Sequence, residues 1–349
     1  MSKLPEAVPC PDKPPLHLKG GYLCVAAPVD LTEACFSVPA VRALRRFRPL
    51  STMAVLCPES QQGLWASMPE VNHVIVYQDE ASARQIARIL TDFEITFESA
   101  VVWEAGKPAK ALARVGVLQR LGYPASGLEK LLTDVVTVAR VPGPIEHRVR
   151  YYLNFVDQLG GDVFVRGNFE YAALPIPPEK PRIVIAPLSE YGSAYQWPVE
   201  RFIDVIDAMD ASHPGINWEI LGTDAGHDKT DARMTLEALA AGKARNLPGK
   251  LNLVKVIEAL SKSSAMLACD GEIAHIAAHI GLPAAVIFGP NEPEWKRPLG
   301  KQSLVIREHV ACSPCYLAEC PLDRRCQDEV SVEKVADSLQ EALKLRLSN

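Results

Sequence analysis

The chain has 349 residues, too many for one compact core, and its 48% hydrophobic and 23% charged content is that of a soluble globular protein. A net charge of −5 gives no global reason for nucleic-acid binding, and no run of about 18 uninterrupted apolar residues is present to span a membrane. Residues 1–19 hold five prolines and no apolar h-region, so no signal peptide is expected and the chain is read as cytoplasmic.

Short apolar runs alternate with amphipathic stretches, the pattern of parallel sheets covered by helices. The first strand is expected at Tyr22 to Ala27, followed by a loop over Pro28 to Thr32 and a helix to about Phe47. Arg42, Arg45, Arg46 and Arg48 read as one solvated face of that helix, or else as a contact with an anionic membrane surface or acceptor. Met53 to Cys57, Val74 to Tyr77 and Phe93 to Phe97 are expected as strands, with a helix over Ala81 to Leu90. A long helix from Glu146 to Leu159 closes the first half. The following segment carries Pro175, Pro177, Pro178 and Pro181, the composition of a stiff linker.

After the prolines the alternation restarts. Strands are expected at Arg182 to Ala186, Trp218 to Leu221, Ala265 to Cys269 and Ala284 to Phe288. A last helix over Ser331 to Leu345 places Val332, Val335, Leu339 and Leu343 near a 3.6 period. The economical architecture is α/β: two Rossmann-like domains, residues 1–171 and 182–330, joined by a linker over 172–181 and ending in a helix over 331–349.

The segment from Ala265 to Gly300 is the richest in chemistry. A strand runs into Asp270-Gly271-Glu272 and a helix carrying His275, then a second strand and Phe288-Gly289-Pro290-Asn291. A helix that starts at a tight turn offers unpaired N–H groups and a positive dipole end, which suit a phosphate. The plainer alternative has Asp270 capping the helix and His275 as a buried or surface histidine.

This segment resembles the donor-site signature of glycosyltransferase family 9, the heptosyltransferase-type enzymes. That signature runs Asp-Thr-Gly, two residues, His-Leu-Ala-Ala, then Gly, Pro and Phe-Gly-Pro-Thr, and here Asp270, His275 to Ala278, Gly281, Pro283 and Phe288 to Asn291 keep its order and spacing. The stretches Ala186 to Pro198, Asn246 to Lys250, Ser37 to Arg45 and His147 to Leu153 are similar to other blocks of the family, so the resemblance covers nearly the whole chain after about residue 20.

The resemblance implies a GT-B fold, two Rossmann-like domains facing an interdomain cleft. The N-terminal domain would receive a glycan or lipopolysaccharide acceptor and the C-terminal domain an ADP-heptose-like donor. Transfer would proceed with inversion, without metal or other cofactor. A carboxylate takes the acceptor's proton, and fixed donors stabilise the leaving diphosphate. By the same resemblance Glu33 stands at the position of the base, with Asp30 near enough to compete; alternatively Glu33 only favours the first helical turn. Ser189, Glu190, Tyr195, Asp224, Leu251, Asp270, Gly271, Glu272, His275 and Asn291 fall on the donor side, with Asp228 an alternative to Asp224. No nucleic acid is expected as partner, whereas peripheral contact with the inner membrane surface is.

The chain departs from the pattern at several of these positions. Tyr195 replaces a lysine, Gly271-Glu272 replaces Thr-Gly, and Thr32 replaces a glycine before the base. Lys250, Lys296 and Arg297 are candidates for a compensating charge. These departures keep open a second reading, a degenerate GT-B protein that binds nucleotide or glycan without transfer.

Nine cysteines complete the inventory. Cys10, Cys24, Cys35, Cys57 and Cys269 are scattered and read as small packing residues where they fall in apolar runs. Cys312, Cys315, Cys320 and Cys326 follow the spacing C-x2-C-x4-C-x5-C. Such spacing suits zinc or an iron–sulfur cluster, but the family resemblance makes structural thiols the expected state.

Overall fold

The computed structural model describes residues 16–137, 143–171, 174–221, 244–246 and 252–347, and the chain divides into two compact units, Met1–Asn168 and Phe169–Asn349. The first unit runs β1 (Tyr22–Ala26), α1 (Leu31–Phe47), β2 (Thr52–Pro58), α2 (Gln62–Ala66), β3 (His73–Tyr77), α3 (Ala83–Asp92), β4 (Ser99–Val102), α4 (Lys107–Arg114), β5 (Gln119–Gly122), β6 (Asp134–Val135) and α5 (Val149–Gln158). The second runs β7 (Arg182–Ala186), α6 (Val199–Ser212), β8 (Asn217–Ile220), β9 (Arg245–Asn246), α7 (Leu253–Ser261), β10 (Ala265–Cys269), α8 (Glu272–Ile280), β11 (Ala284–Ile287), α9 (Pro293–Lys296), β12 (Ser303–Ile306), α10 (Arg325–Asp328) and α11 (Val332–Leu347).

Each unit holds one parallel sheet, in the orders β3-β2-β1-β4-β5-β6 and β12-β11-β10-β7-β8-β9. The two orders are the same winding, read from opposite edges. In both, the chain starts at the centre, winds to one edge, and returns to pair a fourth strand against the first. The winding therefore reverses between β1 and β4 in one unit and between β7 and β10 in the other, and these are the crevices where doubly wound sheets take ligands. The α/β class expected of two Rossmann-like units is thus the class observed.

The central strands are apolar because helices cover them on both faces. Cys24, Val25, Val101, Ile183, Ile185 and Leu267 have no solvent exposure. Cys24, Cys35, Cys57 and Cys269 are all buried, and Cys10 lies outside the described residues. α11 packs on β10, β11, β12 and α6, so the last helix is part of the second unit's core. No described helix is long and apolar enough to cross a membrane.

Two expectations are corrected. Phe93 to Phe97 is not a strand: β4 begins at Ser99. The alternating residues of 93–97 instead pack as a connection, with the rings of Phe93 and Phe97 stacked at 6.0 Å. The real strand is central, so it is a continuous buried run rather than an alternating one. The arginines of α1 are not one solvated face either. Arg42 is 8% exposed and pairs with Glu70 at 3.2 Å. Arg45 donates to the carbonyls of Glu70 (2.8 Å) and Ser51 (2.6 Å), and Arg48 donates to that of Leu18 (2.6 Å). A guanidinium reaches several carbonyls at once, and here it closes the loops between α1 and its neighbours.

Arg45→Ala strands the Glu70 and Ser51 carbonyls and removes a charged donor. It is expected to destabilise the chain by about 2 kcal/mol, read as a lower urea midpoint; an unchanged midpoint would show the arginine to be a mere surface charge.

Candidate active site

At the second unit's switch point β7 and β10 end side by side, Ala186 opposite Ala268, and the loops that follow carry most of the expected donor residues. The Ser189 hydroxyl donates to the Asp270 carbonyl at 2.6 Å, tying the two loops together. Asp270 is fully buried. Its Oδ2 accepts from Asn291 Nδ2 at 2.8 Å, and Oδ1 has no hydrogen-bond partner among the described residues. Burial raises its pKa to about 7, against the Asn291 hydrogen bond and the positive charge of Lys296, which lower it. Lys296, whose Nζ lies 4.8 Å from the Trp295 ring centre, is thus a cation whose field reaches this turn.

Asp270 is not the cap of α8. Gly271 holds that position, and no side chain of its own closes the helix end. The Glu272 amide there donates instead to Glu190 Oε1 at 2.8 Å, so a carboxylate sits at the positive end of α8. A Cβ at Gly271 would lie 2.9 Å from Glu190 Oε2, so a side chain there would push the Glu190 carboxylate aside. His275, one turn further on, is 2% exposed. Tyr195 is buried beside Tyr191, with ring centres 5.3 Å apart. Burial raises its pKa, with Asp270 and Cys315 adding to the rise.

Ser189, Glu190, Tyr195, Asp270, Gly271, Glu272 and Asn291 are therefore neighbours. Asp224, its alternative Asp228, Leu251 and Lys250 lie outside the described residues.

The thiol segment lies over the same loops. The Ala194 amide donates to the Ala318 carbonyl at 3.0 Å, and the amides of Cys315 and Tyr316 both donate to Pro290 O at 3.0 Å. The Ser313 hydroxyl donates to Gly289 O at 2.5 Å. Cys312 is exposed and Cys326 buried; burial pushes the Cys326 thiol up to about 11, with Cys312, Cys315 and Cys320 close enough to contribute. Among the described residues no group of three or more His, Cys, Asp or Glu side chains is arranged to hold a metal.

At the first unit's switch point, Asp30 caps α1 by accepting from the Glu33 amide at 2.8 Å. Glu33 turns its carboxylate to α5. Arg148 Nε stands 3.1 and 2.8 Å from its two oxygens, and the Tyr152 hydroxyl donates to Oε2 at 2.6 Å. Burial, then the Glu33 charge, pushes the Tyr152 hydroxyl far above its ordinary pKa, so it remains a donor. Arg148 also lies 4.1 Å from the centre of the Tyr151 ring. Sequence reasoning missed Arg148 and Tyr152, although their i, i+4 spacing on one helix was a signal that they share a face.

Comparison with known proteins follows the same lines. The family model described as glycosyltransferase family 9 (heptosyltransferase) matches residues 165–325. The lipopolysaccharide heptosyltransferase 2 of Escherichia coli (strain K12) is 22% identical over 308 residues, covering 82% of this chain and 87% of that protein. The match to the Salmonella typhimurium enzyme of that name is 25% identical over 130 residues and spans 37% of either chain. Among solved structures, the E. coli ADP-heptose lipopolysaccharide heptosyltransferase II is similar in fold, with a TM-score of 0.74 at 20% identity, covering 93% of this chain and 99% of that one.

The raised pKa of Asp270 has a definite sign. An acid that is harder to ionise in the folded state costs stability where the unfolded chain ionises it. That cost is absent below about 4, grows as pH rises, and is complete above about 7. Urea unfolding should show the wild type losing stability between pH 5 and pH 8 relative to Asp270→Asn; parallel pH profiles would refute the assignment.

Proposed function

We propose that this chain is a heptosyltransferase-like member of glycosyltransferase family 9, and that it transfers a heptose or related sugar, with inversion, from an ADP-sugar to a lipopolysaccharide core or other surface glycan. The observation that carries the proposal is the anion already seated at the N-terminus of α8, where Glu190 accepts from the Glu272 amide. A site that holds a carboxylate on a backbone N–H at a helix start and switch point is built for negative charge, and the donor's diphosphate is the natural occupant. The E. coli structure of similar fold is that of an ADP-heptose enzyme, which supports ADP as the nucleotide.

In the proposed reaction the acceptor hydroxyl attacks the anomeric carbon while the bond to the diphosphate breaks. The α8 amides and Lys296 stabilise the charge that leaves. An acid at the first unit's switch point, where Arg148 and Tyr152 hold Glu33, manages the attacking hydroxyl and its proton.

Glu190 and Glu272 also favour a second reading. With two acids at the helix end and Tyr195 where a lysine was expected, the chain could hold a nucleotide or glycan without transferring a sugar. Calorimetry with ADP and a heptose-transfer assay separate the two, because only the transferase turns over ADP-heptose.

Glu190→Gln removes the competing charge while keeping a carbonyl for the Glu272 amide. It is expected to tighten ADP binding by about fivefold. Glu33→Gln is expected to lower kcat/KM for the acceptor about 100-fold and to leave ADP affinity unchanged. No ADP binding by the wild type or by Glu190→Gln would remove the basis for a nucleotide-sugar donor.

A further inference from the structure

The first unit's switch point holds a third carboxylate, to which the family resemblance does not point. β1 and β4 end level with each other, Ala26 beside Val102. Asp30 and Glu33 follow the first strand, and Glu104 follows the second by two residues. The Val29 amide donates to Glu104 Oε1 at 2.8 Å and ties the two loops together. All three acids therefore line the one crevice where the winding reverses.

Their hydrogen bonding divides them. The Asp30 carboxylate is taken by the Glu33 amide as the cap of α1. Both oxygens of Glu33 already face Arg148 Nε, and Oε2 also takes the Tyr152 hydroxyl. A carboxylate held by a guanidinium and a phenol is well placed to orient a ligand, but its oxygens have little left for an incoming proton. Glu104 is exposed, and among the described residues its Oε2 accepts no hydrogen bond.

The charged and titratable groups around Glu104 are Asp30 and Glu33 from the start of α1, Arg148, Tyr151 and Tyr152 from α5, and Tyr77 from the end of β3. Although Glu104 keeps access to solvent, the protein packed around it raises its pKa above the ordinary carboxylate value. The Val29 amide and Arg148 work against that rise, while Glu33 and Asp30 add to it. Two neighbouring acids whose surroundings equip them differently are suited to separate roles in proton transfer.

We infer that Glu104 Oε2 takes the proton of the attacking acceptor hydroxyl, while Glu33, held by Arg148 and Tyr152, orients that hydroxyl. The inference rests on the transferase reading above. In the step, the hydroxyl O–H bond breaks and its proton passes to Glu104. The oxygen's electron pair forms the new bond to the anomeric carbon, and the pair of the old anomeric C–O bond leaves with the diphosphate.

The test uses the full chain, ADP-heptose as donor and a heptose-deficient lipopolysaccharide as acceptor, with ADP calorimetry in parallel. Glu104→Gln keeps a carbonyl for the Val29 amide, so the loop contact survives. It is expected to lower kcat about 100-fold with acceptor KM changed by less than about threefold, and to erase the acidic limb of the kcat/KM pH profile. Glu104→Asp, which keeps the acid, is expected to recover part of the rate. Glu33→Gln is expected to raise acceptor KM and keep the acidic limb.

If Glu104→Gln retains full kcat or the acidic limb while the wild type transfers heptose, the role of Glu104 is overturned and the transferase reading stands. If the wild type binds ADP yet transfers nothing, the transferase reading is overturned and the role of Glu104 falls with it.

Discussion

A strand in a parallel sheet cannot reach its neighbour by a tight turn, so paired strands are joined by crossovers over a face of the sheet, as α1 joins β1 to β2 and α8 joins β10 to β11. Both faces become apolar, and polar side chains are driven to the strand ends. Where the winding reverses, the loops leaving two adjacent strands go to opposite faces and leave a crevice between them. Asp270 and Ser189 stand at one such crevice, Glu33 and Glu104 at the other. The chemistry of both units follows from a rule about connecting strands.

The two crevices balance their charge differently. At the first crevice Asp30, Glu33 and Glu104 stand near Arg148, and that arginine is spent on Glu33. In the second, Asp270 is buried with a neutral partner, Asn291, and Glu190 rests on a helix end. A helix terminus stabilises a nearby charge by about 0.3–1 kcal/mol, little enough that a single carboxylate can be displaced. A diphosphate carries more charge and more acceptor oxygens, so it competes well for the same amides. The Glu190 contact is therefore compatible with a site that exchanges its occupant.

Much of this was legible in the sequence, unevenly and for physical reasons. Arg182–Ala186 and Ala265–Cys269 are continuous apolar runs bounded by polar residues, and their limits were read correctly because full burial leaves no other pattern. The turn at Asp270 was visible as a motif. Glu104 was not, because Phe93 to Phe97 alternates like a strand and drew attention from the shorter run that ends at Val102. With the strand placed too early, its carboxyl end pointed at the wrong residues. Contacts distant in sequence were beyond any local pattern: Glu190 meets Glu272 from 82 residues away, and Arg148 meets Glu33 from 115. The inward use of Arg45 and Arg48 was hidden as well, since spacing shows which residues share a face but not whether that face meets water or carbonyls.

The segment that carries Cys312 to Cys326 acts on the loops beneath it as a latch. Its backbone grips the loop after β7 through Ala318 and the loop after β11 through Cys315 and Tyr316. A chain in which a flexible linker stood in for residues 312–324 would keep every strand of the second sheet and α11 as well. It would nonetheless lose the brace that holds Tyr195 and Asn291 in register with Asp270, and would fold into a scaffold whose ligand loops had come unbuckled.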